Sequence, residues 1–387
     1  MVKEFIQQSF QVAYNYRVHF TRELFASTNL LLQQFFVEHT AGADAKALIV
    51  VDEGVARYHR HLPAQVNAYF ESVANVSLVS APMVVSGGEA AKNTSEVVDQ
   101  IIAAVDKHGI DRHSYIIAIG GGAVLDAVGY AAAIAHRGIR HIRIPTTVLS
   151  QNDSGIGVKN GVNYLGKKNF IGTFCPPFAV FNDFSFLTTL SDRAWLSGIS
   201  EAVKVALIKD AEFFEWIEQR AAALRNRDSA AMEYLIYRCA ELHLKHIGGA
   251  DPFEFGSSRP LDFGHWSAHK LEQLSRFEVM HGEAVSIGIA LDSTYSYLSG
   301  FLSNDDAQRI VRLLQDLGLP TIHPLIEEES GQHPLLVGLE EFREHLGGKL
   351  TIMLLQGIGR GLEVNDIDTS RILEAAAMLQ GDFQIQP

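Results

Sequence analysis

Three shortages define what this chain is not. It has only two cysteines, Cys175 and Cys239, in 387 residues, which excludes a disulfide framework and points to a reduced, cytoplasmic setting. It has no apolar run able to cross roughly 30 Å of hydrocarbon; the most apolar stretch, 123–135, is broken by Asp126, Gly129 and Tyr130. The first twenty residues alternate polar and apolar side chains instead of forming an apolar block, so no targeting segment is expected. Positive charge is also scarce, with 32 Lys+Arg against 45 Asp+Glu and a formal charge of −13. Nonspecific nucleic-acid binding needs a surface that neutralises many phosphates at once. No nucleic-acid or membrane partner is therefore expected, and an anionic ligand must find a local basic cluster.

What is present is an ordinary globular composition, 47% hydrophobic and 20% charged, in a length that suits two or three domains. The first half repeats a short apolar run, a Gly-rich or polar turn and a helical period, the pattern of a doubly wound, mostly parallel α/β sheet. Strands are predicted at 47–51, 114–119, 139–144 and 178–181. A crossover helix is predicted between the first two, with Asn93 and Glu96 spaced as a capping box and Gly109 as its stop. Beyond about 183 the strand signal fades, and amphipathic stretches follow at 193–225, 229–246, 265–274, 283–298 and 305–317. The expectation is an α/β domain over 1–185 and an all-α domain over 186–387, sharing a cleft.

Three groups of residues carry chemistry. First, a buried strand runs into Gly120, Gly121 and Gly122 and then a helix, which lets backbone N–H groups approach a pyrophosphate. A bare GGG turn also closes tight connections with no ligand, and Leu125 stands where a third dinucleotide-fingerprint glycine would be. Asp52, Glu89 and Lys92 follow other strands at the same sheet edge. Second, the glycine-dense run Asp153 to Asn169 holds Lys159, Lys167 and Lys168 in a chain of net negative charge, a local phosphate site or else a solvated basic loop. Third, Glu201 and Lys204, His265 and His269, and His281 supply a carboxylate and imidazoles from separate helices, the ligand types of a zinc site with one open position. The chain has sixteen histidines, so chance clusters are the competing reading.

Together, GGGAVLDAVGYAAA, HRGIRHIRIPTTVLSQNDSGIGVKNGVN, GKKNFIGTF, GISEAVKVALIKD, LDFGHWSAH and HGEAVSIGIA resemble, in order, the motifs of the dehydroquinate synthase-like sugar phosphate cyclases over about residues 47–358. The wording of IGVKNGVN and RPLDFGHWSAHKLE is most similar to the EboD branch of that family. The resemblance implies an N-terminal NAD-binding α/β domain, a helical domain holding Zn²⁺ or Co²⁺, a homodimer and a phosphorylated sugar substrate. It implies Glu201, His265 and His281 as metal ligands, with His269 as an acid/base or phosphate contact. This corrects the bare reading that both histidines of HWSAH chelate. NAD contacts are implied at Asp52, Glu89, Lys92, Gly120 to Gly122, Asp126, Thr146 and Thr147. The substrate side is implied at Asp153, Lys159, Lys168, Asn169 and Lys204, with Arg137 reaching in from a dimer partner. Such enzymes oxidise a ring alcohol transiently with NAD, eliminate phosphate, and close a carbocycle by intramolecular aldol addition.

Departures from the family pattern bear on the substrate. Ser258 and Asp262 stand where dehydroquinate synthases have the Arg and Asn of R-x-x-x-N-x-G-H, and that Arg helps bind a substrate carboxylate. A second carboxylate-binding Lys falls near His243, Leu244 and Lys245; Phe342, Arg343 and Glu344 replace a C-terminal DKK, and Arg343 with HLGG is similar to valiolone-type cyclases. Asn160 replaces the usual Thr. These changes point to a neutral ketose phosphate such as sedoheptulose 7-phosphate. The alternatives are 3-dehydroquinate synthase, with Arg259 or Lys245 restoring the carboxylate contact, a metal- and NAD-dependent polyol dehydrogenase, and an NAD-binding relic kept as a scaffold.

Overall fold

Apolar residues run unbroken through the predicted strands because both faces of the sheet are covered. The computed structural model describes residues 5–165, 167–249, 251–254, 260–326 and 333–381. Its strands are β1 (Val18–Thr21), β2 (Ala45–Asp52), β3 (Val76–Leu78), β4 (Met83–Val85), β5 (Tyr115–Gly120), β6 (Arg140–Pro145), β7 (Lys159–Tyr164), β8 (Lys167–Phe174), β9 (Ala179–Asp183), β10 (Ile352–Gly357) and β11 (Arg360–Val364). Seven form one sheet in the order β1-β9-β6-β5-β2-β3, with β4 also on β2, and every pairing is parallel. Alternation along β2 and β5 sorts the side chains. Ala47, Ile49, Val51, Tyr115 and Ile117 enter one core with Phe36 and Phe181. Leu48, Val50, Ile116 and Ala118 enter the other, under the helices Glu96–His108 and Gly122–Ile134. The sheet is thus doubly wound, as expected from the sequence.

The crossover helix ends at Gly109 in the left-handed conformation, φ 56°. Its expected capping box does not form: Ser95 is the N-cap, and Asn93 instead accepts from Asn163 Nδ2 at 2.7 Å. In the second half, the single stretch expected at 193–225 is three helices, Asp192–Ser197, Ile199–Lys209 and Ala211–Arg225, broken at Gly198 and at Asp210, which caps the third through Phe213 N–H. The half is mainly helical and adds a β10–β11 hairpin to the all-α composition expected. Residues 199–208 of the second of these helices are all buried, so this element forms the centre of the helical core. No helix among the described residues is long and apolar enough to cross a membrane.

Two close approaches bring the histidine helices to it. Gly264, at φ +75°, lies against Gly288, where a Cβ would sit 1.9 Å from the Gly264 carbonyl oxygen; at Gly282 a Cβ would sit 1.8 Å from that of Ser197. Asp292 then fixes the start of the helix His265–Leu274, accepting from Gly264 N–H and Trp266 Nε1–H at 2.9 Å each. Burial pushes the Asp292 carboxyl up to about 7, against those two donors. Between about pH 4 and 7 the folded chain therefore keeps a proton that the unfolded chain has lost, and stability falls as pH rises through that window, by up to about 1.4 kcal/mol per unit. Asp292→Asn is expected to flatten this slope in urea unfolding at pH 5 to 7.5; identical slopes for the two proteins would disprove it.

Candidate active site

The carboxyl ends of the parallel strands supply one wall, as doubly wound sheets do. Asp52 ends β2 and caps the next helix, accepting from Gly54 N–H at 2.7 Å; burial pushes its pKa up. Gly120 ends β5, Thr146 N–H bonds back to its carbonyl at 3.0 Å, and Thr147 contacts Ser150. The helix Gly122–Ile134 has no side-chain cap on its first N–H groups. At Gly122 a Cβ would lie 2.4 Å from Ser154 Oγ. The missing Cβ at Gly122 makes room for Ser154, and the helix N-terminus, capped by no side chain, presents backbone N–H groups that fit a dinucleotide phosphate.

The lysine-rich run expected as a loop is a wide helical turn, Ser150–Ser154, followed by the antiparallel β7–β8 hairpin. Gln151 Nε2–H reaches the Pro145 and Asp183 carbonyls at 3.0 Å, and Asn152 Nδ2–H reaches Gly198 at 2.8 Å. The turn is pinned between sheet and helices, and Asp153 lies 3.7 Å from Lys204 Nζ. The hairpin unites residues that the sequence assigned to two ligands. Buried Lys92 bonds Asp126 at 2.9 Å and also Asn169, while Asn163 donates to Glu89 at 2.6 Å. Lys168 pairs with Glu272 at 2.6 Å, linking hairpin to helical half. Lys159 is 57% exposed and pairs with Glu254 at 2.7 Å.

At the centre, Glu201, His265 and His281 present ligand atoms within 4.8 Å of one another. Each imidazole is oriented through its other nitrogen: His265 Nδ1 by the Phe263 carbonyl at 3.0 Å, His281 Nδ1 by Glu272 at 3.2 Å. Both Nε2 atoms are left 3.5 Å from Glu201 Oε1. Carboxylate- or carbonyl-held imidazoles converging on a buried carboxylate suit a divalent cation with an open position. His269, Glu272 and His281 form a second such group, but Glu272 is already engaged by Lys168 and His281 Nδ1, so the first fits better. Burial opposes charge on Glu201, yet Lys204, with which it forms an ion pair, and His265 hold its pKa well below the ordinary carboxylate range. Burial likewise opposes the Lys204 cation, and Glu201 and Asp153 keep it charged. His281 is held up at about 9: burial is outweighed by Glu272 and Glu201.

Some expected residues stand elsewhere. Arg137 is exposed at the end of the helix Gly122–Ile134, before β6 starts, and so lies at the opposite edge of the sheet from Gly120. Asn160 is not a substrate neighbour: strand alternation turns it inward, where it accepts from Arg143 at 2.6 Å and donates to the Cys175 carbonyl at 3.0 Å. Lys245 is 63% exposed and paired with Glu241. Arg343 is on the surface, paired with Glu340. Ser258 and Arg259 lie outside the described residues. Asp262 is half-buried, and its charge acts on Lys204.

Two residues of the site had no role assigned from the sequence, Glu272 and His243, the second having marked only the region where a carboxylate-binding Lys was expected. Glu272 falls seven after His265 and three after His269, hence on their helix face. His243 occupies the apolar stripe of the helix Ser229–Ile247, after Met232, Leu235, Ile236, Cys239 and Ala240, and meets Asp153 Oδ1 through Nε2 at 3.2 Å. A polar residue in an apolar stripe was the available signal.

A doubly wound sheet whose carboxyl edge faces a carboxylate–imidazole centre on buried helices is the framework of an enzyme. Residues 82–197 match the model of the 3-dehydroquinate synthase N-terminal domain and residues 198–334 that of the C-terminal domain. A 3-dehydroquinate synthase of Rhizobium johnstonii is 34% identical over 338 residues, covering 85% of this chain and 86% of that protein. The chain belongs to the 3-dehydroquinate synthase family, whose members are carbon–oxygen lyases that eliminate phosphate. Among solved structures, 2-epi-5-epi-valiolone synthase from Streptomyces hygroscopicus subsp. jinggangensis, with NAD⁺ and Zn²⁺ bound, superposes with a TM-score of 0.86 at 30% identity, over 97% of this chain and 100% of that one. A 2-deoxy-scyllo-inosose synthase complexed with carbaglucose-6-phosphate, NAD⁺ and Co²⁺ shares the fold, with a TM-score of 0.77 at 23% identity over 94% of this chain and 96% of that one.

Proposed function

We propose that this enzyme is a sugar phosphate cyclase acting on an uncharged ketose phosphate such as sedoheptulose 7-phosphate, releasing phosphate and closing a carbocycle by intramolecular aldol addition. Glu201, His265 and His281 would hold Zn²⁺ or Co²⁺. Asp52, Glu89, Lys92, Gly120 to Gly122, Asp126, Thr146 and Thr147 would line the NAD site. When bound, the cation stabilises charge on the reacting oxygens and the dinucleotide accepts and returns a hydride without net consumption. Lys159, Lys168 and Asn169 would hold the phosphate and offset its charge as it leaves. Lys204, fixed between Glu201 and Asp153, would orient the ring hydroxyls. His269 opens on the cleft beside His281 and would move the proton at the leaving oxygen. In a homodimer, Arg137 would serve the other subunit's cleft.

The observation that carries the substrate class is the charge around Lys204. Asp153 and Asp262 both act on it, and Lys245, which would have rescued carboxylate binding, points away. A substrate carboxylate would face two fixed anions there with no bidentate partner among the described residues. Phosphate release should be measured with sedoheptulose 7-phosphate and with the carboxylated heptulosonate phosphate that is the precursor of dehydroquinate. At least a ~100-fold preference for the first is expected. Turnover of the carboxylated sugar alone would make the enzyme a 3-dehydroquinate synthase, and NADH accumulation from a polyol without phosphate release would make it a dehydrogenase.

A further inference from the structure

We propose that Arg143 is a positioning residue: its buried guanidinium fixes the course of the backbone between Asp153 and Lys159 and so sets where both side chains stand. The substrate role of those two side chains rests on the cyclase reading above; the grip on the backbone does not. Arg143 lies in β6 with no solvent exposure. Its hydrogen bonds go to uncharged oxygens. Nη1 donates to the carbonyls of Gly155 at 3.1 Å and Gly157 at 2.9 Å, and Nη2 donates to the Lys159 carbonyl at 3.1 Å and to Asn160 Oδ1 at 2.6 Å. The carbonyls in between are held from outside: Tyr16 Oη–H reaches that of Ile156 at 2.8 Å, and Cys175 N–H that of Val158 at 2.8 Å. Every carbonyl from 155 to 159 is thus fixed in direction, three of them by one side chain.

The grip also sets the phase of β7. Asn160 is drawn inward by Nη2 and lies against Gly129 of the helix Gly122–Ile134, where a Cβ would sit 1.8 Å from Asn160 Oδ1. Alternation then turns Lys159 outward, 57% exposed and 2.7 Å from Glu254. A slip of one residue would bury the lysine and expose the amide. At the other end, Ile156 N–H donates to the Asp153 carbonyl at 3.1 Å, and the Asp153 side chain stands 3.7 Å from Lys204 Nζ and 3.2 Å from His243 Nε2. A planar fork suits this task, because its N–H groups point in fixed directions, whereas an ammonium spreads three donors from a single atom. Burial opposes the cation, and the field of Asp126 favours it.

The test compares Arg143→Lys, which keeps the charge without the fork, and Arg143→Met, which keeps neither, with the wild type. Amide hydrogen exchange over 155–160 is expected to quicken about tenfold in Arg143→Lys and further in Arg143→Met, with the buried helix segment 199–208 unchanged. Phosphate release from sedoheptulose 7-phosphate, measured well below each thermal midpoint, should lose about tenfold in kcat/KM with Lys and about 10²-fold with Met, the larger share in sugar KM, at full zinc content and an unchanged NAD⁺ activation constant. Either variant serves if the other does not fold. Faster exchange throughout the chain with wild-type kcat and KM would reduce Arg143 to a general core residue and overturn the proposal, as would unchanged exchange at 155–160. Wild-type enzyme that releases no phosphate from this sugar would count against the cyclase reading instead, and exchange at 155–160 would still decide the grip of Arg143.

Discussion

His281→Ala is expected to yield a folded protein that retains no stoichiometric divalent metal and has lost about 10³-fold or more in kcat/KM. His281 contributes one of two Nε2 atoms 3.5 Å from Glu201 Oε1, and its Nδ1 is anchored by Glu272. Removing the ring leaves Glu201 and His265, too few protein ligands for a tight zinc-type site. It also strips Glu272 of one of its two partners, leaving Lys168. The measurement is metal content by elemental analysis beside steady-state phosphate release, with His113→Ala, an exposed site at the far end of the sheet, as control. A His281→Ala protein with full metal and full activity would show that the centre lies elsewhere, with His269 or another group supplying the ligand.

Lys204→Met should cost more in stability than any surface change, about 3–5 kcal/mol in the metal-free protein. Lys204 and Glu201 are fully buried side by side, and Asp153 is 3.7 Å from the same ammonium. A methionine keeps the stem's volume but abandons a buried carboxylate to a low-dielectric core. Two further measurements separate electrostatics from packing. Added Zn²⁺ should recover much of the loss, because a cation at Glu201 replaces the missing charge, and Lys204→Met with Glu201→Gln should be more stable than Lys204→Met alone when metal is absent. Urea unfolding with and without metal reads both, and a double variant no better than the single one would refute the charge argument. Activity should also collapse, since Lys204 stands between the metal-competent centre and Asp153.

Much of the architecture could be read before any coordinates. Each of the four predicted strands lies within about two residues of an observed one, and Gly109 does end the crossover helix in the left-handed conformation. The features that went unread share a cause: they depend on what a distant segment presents. Asn93 looks like a helix cap until Asn163 of the hairpin takes it. Asn160 looks like part of a substrate loop until β7 is paired with β8 and alternation turns it toward Arg143. Lys245 and His243 are two apart on one helix and thus on different faces; which of them meets Asp153 depends on how the helix packs against the 150–154 turn.

Hydrophobic period, glycine placement and the order of a few polar motifs were enough to announce a doubly wound sheet, a helical half and the residue types of a metal and phosphate chemistry. Those are local properties, written in i,i+2 and i,i+4 spacing. The choice of imidazole nitrogen, the joining of Lys168 to His281 through Glu272, and the acceptor-rich surroundings of Lys204 are properties of convergence. They arise where four helices and a hairpin, with partners such as Lys168 and Glu272 104 residues apart, are pressed together by glycine contacts. No spacing rule along one chain encodes which atoms will then face each other.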